Sequence, residues 1–79
     1  MEIKILGPGC INCRNLERAT INALAELELA AEVTKEEDMN KIVNYGIIRT
    51  PALVINEKVV LSGRIPSVKE LKDIISKEV

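Results

Sequence analysis

Two cysteines, Cys10 and Cys13, stand at C-x-x-C spacing in a chain that has no other cysteine and no histidine. Residues i and i+3 share one face of a helix, so the two sulfurs can approach bonding distance on one. The free N–H groups and positive dipole end of a helix N-terminus favour a thiolate there. Three uses compete for such a pair. As a structural staple it closes so small a loop that the chain-entropy model gives only about 2 kcal/mol, less after strain. As a metal site it lacks ligands, because closed zinc sites take four. A four-thiolate site shared by two chains, or a two-thiolate Cu(I) site, stays open. Thiol–disulfide exchange needs only the pair itself.

The flanking elements decide how the sulfurs are presented. Residues 3–6, Ile3-Lys4-Ile5-Leu6, read as a buried strand despite Lys4. Gly7-Pro8-Gly9 then breaks the strand and turns the backbone tightly. Pro8 fits a plain turn residue or one that shapes a groove. Residues 12–27 follow with helical periodicity. Cys13, Leu16, Thr20, Ala23, Leu24 and Leu27 form one inward stripe, while Arg14, Glu17, Arg18, Asn22 and Glu26 point outward. Cys10, at or near the N-cap, is off that stripe. The expected arrangement is an outer Cys10 and an inner Cys13, with Arg14 fitting a solvated surface residue better than a positive charge added near the site.

Residues 30–34 predict a second strand, followed by the polar run Lys35-Glu36-Glu37-Asp38. Asp38 is positioned to cap a short helix over 39–45 that Gly46 stops. Residues 52–55 predict a third strand. Asn56-Glu57 predicts a two-residue hairpin turn, since Asn tolerates positive φ. Residues 58–62 predict the fourth strand. Ser67-Val68-Lys69-Glu70 is a capping box that opens a last helix with Val68, Leu71, Ile74 and Ile75 inward. The order is β-α-β-α-β-β-α. A right-handed crossover makes the first two strands parallel, and the closing hairpin is antiparallel. The result is a four-stranded mixed α/β sheet with the cysteines at the carboxyl end of strand one, where open α/β sheets place their sites.

The totals bound the function. Seventy-nine residues, 47% apolar, suit one domain over 1–79 with an aliphatic core, since Tyr45 is the only aromatic residue. Aromatic stacking on bases or sugars is excluded as a main function. A net charge of −1 and a pI near 5.4 give no basic footprint for nucleic acid. No apolar run approaches a membrane span, and Glu2 and Lys4 interrupt any signal-like stretch. The expected location is cytoplasmic, where a C-x-x-C pair is catalytic or metal-binding rather than structural.

Gly9-Cys10-Ile11-Asn12-Cys13 after strand one, Thr50-Pro51 before strand three and Gly63 after strand four together resemble the thioredoxin fold. The similarity is to the small, glutaredoxin-sized redox-active-disulfide proteins of archaea and bacteria, and it covers essentially the whole chain. The resemblance implies a three-layer thioredoxin-like fold and a thiol–disulfide oxidoreductase acting on protein disulfides. Cys10 would be the nucleophile and Cys13 the resolving thiol. It implies a cis Thr50–Pro51 bond against the disulfide, with the backbone of Thr50 pairing with an extended substrate segment and Gly63 bordering the same groove. Gly9 flanks the pair, and Ile11 offers an apolar contact beside the reactive sulfur. A dithiol or flavin-dependent reductase would recycle the pair in a monomer with no cofactor and no metal.

The chain departs from better-known relatives in its Ile11-Asn12 dipeptide and in having Gly9 where thioredoxins carry tryptophan. Lys4 falls at the ungapped position of their buried acid. The glutathione-holding cluster of glutaredoxins is reduced to Gly63-Arg64, so glutathione is not the expected reductant. Two rivals remain. A copper-binding module also sets C-x-x-C between strand one and helix one, but its β-α-β-β-α-β order ends on a strand. A disulfide-bearing interaction domain would exchange no electrons.

Overall fold

The computed structural model describes every residue except Cys10, Ile48 and Val79. Its elements are β1 (Glu2–Leu6), α1 (Ile11–Leu27), β2 (Glu32–Glu36), α2 (Met39–Val43), β3 (Ala52–Ile55), β4 (Lys58–Ser62) and α3 (Val68–Ser76). The sheet runs β2-β1-β3-β4, with β1 and β2 parallel and the other neighbours antiparallel. This is the expected mixed α/β sheet, and the last element is a helix rather than the strand that the copper-module order requires.

Alternation along the strands splits the core into two layers. Ile3, Ile5, Leu53, Ile55 and Leu61 are buried with Leu16, Ala23 and Leu24 of α1 and Leu71 and Ile75 of α3. On the opposite face Leu6, Ala52 and Val54 are buried with Ile42 of α2. The inward stripe of α1 is Cys13, Leu16, Thr20, Ala23 and Leu24, with Leu27 half-buried. Thr20 is reconciled with that core by donating its hydroxyl to the Leu16 carbonyl, 2.8 Å away.

Helix α1 stops on an unforeseen cap. Glu28 takes φ +56°, and the Leu29 N–H bonds the Leu24 carbonyl at 3.0 Å while that of Glu28 bonds Ala25 at 3.2 Å. That pair of bonds is a Schellman closure built on a glutamate in place of the usual glycine.

β1 and α1 each begin one residue before the expected 3 and 12, and β2, α2 and the capping box differ further. β2 lies two residues further on than 30–34, because Glu2 to Leu6 pair in register with Glu32 to Glu36. As an edge strand β2 tolerates the polar Lys35 and Glu36 that a central strand would not. α2 ends at Val43 rather than residue 45, with Asn44 as its C-cap and Gly46 at φ +78° beyond it. In the capping box, Ser67 accepts the Glu70 N–H at 3.2 Å, but the Glu70 carboxylate pairs with Arg64 instead of returning to the cap.

The Asn56-Glu57 turn forms with both residues at positive φ, +49° and +69°, matching the twist of the hairpin strands. Between β3 and β4 the register slips from Leu53↔Leu61 to Val54↔Val59. The extra residue, Val60, packs with the α1–α3 core while Val59 packs on the α2 face.

Candidate active site

The antiparallel pairing of β1 with β3, and of β3 with β4, sets the end of β1, the start of β3 and the end of β4 at one end of the sheet. The expected site residues other than Cys10 gather there. The N–H of Gly7 extends the β1–β2 pairing one step by bonding the Glu36 carbonyl at 3.0 Å. Gly9 at φ +87° supplies the left-handed turn that leads to α1, and a side chain there would be strained.

Cys13 lies in the first turn of α1 and is 4% exposed. A Cβ built on Gly7 would fall 2.1 Å from the Cys13 sulfur and 3.9 Å from the Thr50 Cβ. The sulfur, the end of β1 and the Thr50 side chain therefore meet around the space that Gly7 leaves open. The sequence reading took Gly7 only as a strand breaker. The missed signal is that the inward face of α1 begins at Cys13, so something at the end of β1 must be small enough to receive a sulfur.

The Thr50–Pro51 peptide bond is cis, Pro51 is buried, and its carbonyl accepts the Gly63 N–H at 2.9 Å. Gly63 has φ +79°, with the Arg49 side chain packed over it. One hydrogen bond thus ties the two expected groove-bordering positions together. Ile11, the first residue of α1, is 72% exposed, an unusual placement for an isoleucine. Cys10, expected to be the outer sulfur, lies outside the described residues.

Two hollows adjoin this cluster. One, of about 170 Å³, is lined by Ile5, Gly7, Pro8, Gly9, Cys13, Arg14, Lys35 and Glu37, and brings charged side chains to the inner cysteine. Glu37 is a second residue that sequence reasoning missed. It belongs to the polar run Lys35-Glu36-Glu37-Asp38, yet its carboxylate sits 3.1 Å from where a Gly9 Cβ would be. The other, of about 280 Å³, is an apolar groove formed by Met39, Ile42, Val43, Ile47 and Thr50. Among the described residues no cluster of three metal-ligating side chains exists.

Lys4 points away from Cys13, onto the α2 face. Its ammonium donates to the Tyr45 hydroxyl at 3.1 Å and to Glu57 at 3.1 Å, and lies 5.8 Å from the Tyr45 ring centre. The hydrogen bonds to Tyr45 and then Glu57 raise its pKa above the ordinary lysine value. A larger hollow of about 820 Å³ opens beside this cluster, lined among the described residues by Lys4, Glu36, Lys41, Asn44, Tyr45, Glu57 and Val59.

Residues 1–76 match the thioredoxin domain family. The chain is 37% identical over 76 residues to a thioredoxin of Methanothermobacter thermautotrophicus, covering 96% of this chain and 99% of that protein. It is 35% identical over 71 residues to a thioredoxin of Methanocaldococcus jannaschii, covering 90% of this chain and 81% of that protein. Among the described residues no helix is long and apolar enough to cross a membrane.

Proposed function

This chain belongs to the thioredoxin family, and on that premise we propose that it reduces disulfides of protein substrates through Cys10 and Cys13. The observation that carries the reading is the seating of the Cys13 sulfur, buried in the first turn of α1 against Gly7 and beside Thr50. A sulfur so placed is shielded from bulk reagents and lines the small hollow at the helix start. The exposed Ile11 and the apolar groove at Thr50 give a substrate chain a surface on which to lie.

The exchange runs in two displacements. The Cys10 thiolate attacks one sulfur of the substrate disulfide. That S–S bond breaks, a mixed disulfide forms on Cys10, and the other substrate sulfur leaves as a thiolate and takes up a proton. Cys13 then gives up its proton and attacks the Cys10 sulfur. The Cys10–substrate bond breaks, the second substrate thiol is released, and the Cys10–Cys13 disulfide carries the two electrons' worth of oxidation. A dithiol donor or a flavin-dependent reductase returns two electrons to restart the cycle. Thr50 holds the substrate segment through its backbone, with Gly9, Ile11, Pro51 and Gly63 forming the walls. The protein works in this reading as one domain over 1–79, monomeric and in the cytoplasm.

The test is a trap. Cys13→Ser leaves the first displacement intact and removes the second, so a disulfide-bearing protein such as insulin should remain covalently bound to Cys10. The wild type should accelerate insulin reduction by dithiothreitol, and the Cys10→Ser, Cys13→Ser double variant should not. A wild type without reductase activity, together with no covalent adduct on Cys13→Ser, would overturn the reading.

A further inference from the structure

The first half of α1 is charged against its own interest. A helix N-terminus favours acidic side chains and disfavours cations, yet α1 has no acid in its first turn and carries Arg14 there. Arg18 follows at i+4, the spacing at which like charges repel along a helix. Both arginines are exposed, and among the described residues neither has an ion-pair partner. The adjacent edge strand adds a third cation. Lys35 joins Arg14, Glu17, Arg18, Ile21 and Asn22 around a surface groove of about 320 Å³. The single carboxylate in that groove, Glu17, lies 3.8 Å from Lys35, leaving three cations against one acid there, and Glu37 is the acid of the adjoining hollow that Arg14 and Lys35 also line.

Two further facts tie the groove to the chemistry. Arg14 and Lys35 line both this groove and the smaller hollow at Cys13, so the two are continuous. The protein as a whole carries 11 lysines and arginines against 12 acids, so the cations here are a local concentration and not spill-over from a basic surface. Ile21, half-exposed at 50%, sits among them with no aromatic side chain to stack on a base.

We propose that this groove docks an acidic segment of the protein that exchanges disulfides with the site. The partner carries aspartate or glutamate near its reactive cysteine, and an apolar side chain that meets Ile21. The inference rests on the oxidoreductase reading and adds to it the charge of the partner. Opposite charge on the two surfaces raises the encounter rate, and screening by salt takes that advantage away.

Three synthetic peptides test it, each closed by one internal disulfide and differing only in whether glutamate, serine or lysine flanks the cysteines. The reading is the second-order rate constant of reduction by the reduced protein. The glutamate peptide should react about tenfold faster than the lysine peptide at an ionic strength near 20 mM, falling to about twofold near 500 mM. Arg14→Glu combined with Arg18→Glu should bring the low-salt ratio to one or below. Arg14→Glu favours the helix N-terminus and Arg18→Glu lies beyond the reach of the dipole, so far-UV circular dichroism of the double variant checks that it stays folded. Lys77→Glu, just past the far end of α3, changes charge elsewhere and should leave the ratio as in the wild type. A wild type that reduces the serine peptide but shows no preference, or a preference that the arginine variants do not move, overturns the docking surface. A wild type that reduces none of the three overturns the oxidoreductase reading itself.

Discussion

Replacing Gly7 with alanine adds one methyl group at the point where strand, sulfur and Thr50 meet. The new carbon would stand 2.1 Å from the Cys13 sulfur, well inside the roughly 3.5–4.0 Å of ordinary contact. It would also stand 3.2 Å from the Cys13 Cβ, so the sulfur cannot escape by a small tilt alone. The backbone offers no resistance, because Gly7 lies outside the positive-φ region. Elsewhere such a change would stabilise by about 0.4–1 kcal/mol through the unfolded chain. Against that stands overpacking of a closed site, about 1–3 kcal/mol. The expected net loss is about 1–2 kcal/mol, or roughly 5–15 °C in Tm for a domain of this size. Urea melts of the reduced proteins in dithiothreitol, followed by far-UV circular dichroism because there is no tryptophan, read it directly. The decisive comparison is a double-mutant cycle with Cys13→Ala. Without the sulfur the nearest obstacle is the Cβ at 3.2 Å, which a few tenths of an ångström relieves, so Gly7→Ala should then cost under about 0.5 kcal/mol. Equal losses with and without the sulfur would refute the claim that Gly7 exists to receive it.

Gly63→Ala should cost about 1–2 kcal/mol in the same melts, since alanine must adopt φ +79° and push aside the Arg49 side chain; Gly63→Asn should cost less, because asparagine tolerates that region. Pairing with Arg64, first by hydrogen bonding, lowers the Glu70 pKa below the ordinary carboxylate value. A lowered folded-state pKa contributes stability above the unfolded value of about 4.3 and loses it as pH falls through the folded one. Glu70→Gln should therefore be less stable than the wild type at pH 7, with the difference shrinking toward pH 3; a difference independent of pH would count against the pair.

Most of the fold was written in short-range patterns. The 3.6-residue stripe of α1, the apolar runs of β1 and β3, the Asp38 and Ser67 caps and the Asn56-Glu57 turn each act within a few residues, and each formed where the pattern put it. β2 was misplaced because its limits are set from outside. Pairing with Glu2 to Leu6 decides where it begins and ends, and an edge position lets a charged segment serve as a strand. The capping box half-formed because Arg64, six residues before Glu70, competed for the carboxylate. At the site, Cys13 was legible as the inner sulfur from helical phase alone. Gly7, Glu37 and the reach of Lys35 to the cysteine hollow were not, since they depend on which residues of β1 and β2 end beside the start of α1.

The site draws on the two faces of the sheet unequally, and this explains a lysine in the middle of a buried strand. Cys13 lies on the inward stripe of α1, the face on which ten side chains from the strands, α1 and α3 are buried. Thr50 and Pro51 end a connection that lies on the other face, where α2 contributes Ile42 as its buried side chain. Full burial of one isoleucine supplies about 1.5–3 kcal/mol, while ordering each backbone residue of such a connection costs about 1–2 kcal/mol. Further ties are needed. Lys4 supplies one by holding Tyr45, just beyond α2, to Glu57 at the β3–β4 turn, with Glu2 3.6 Å away. Its charge is thereby committed to structure on the face away from the sulfur. The Cys13 sulfur instead adjoins the small hollow at the helix start. The carboxylate that lines that hollow is Glu37, contributed by the loop after β2 and not by β1.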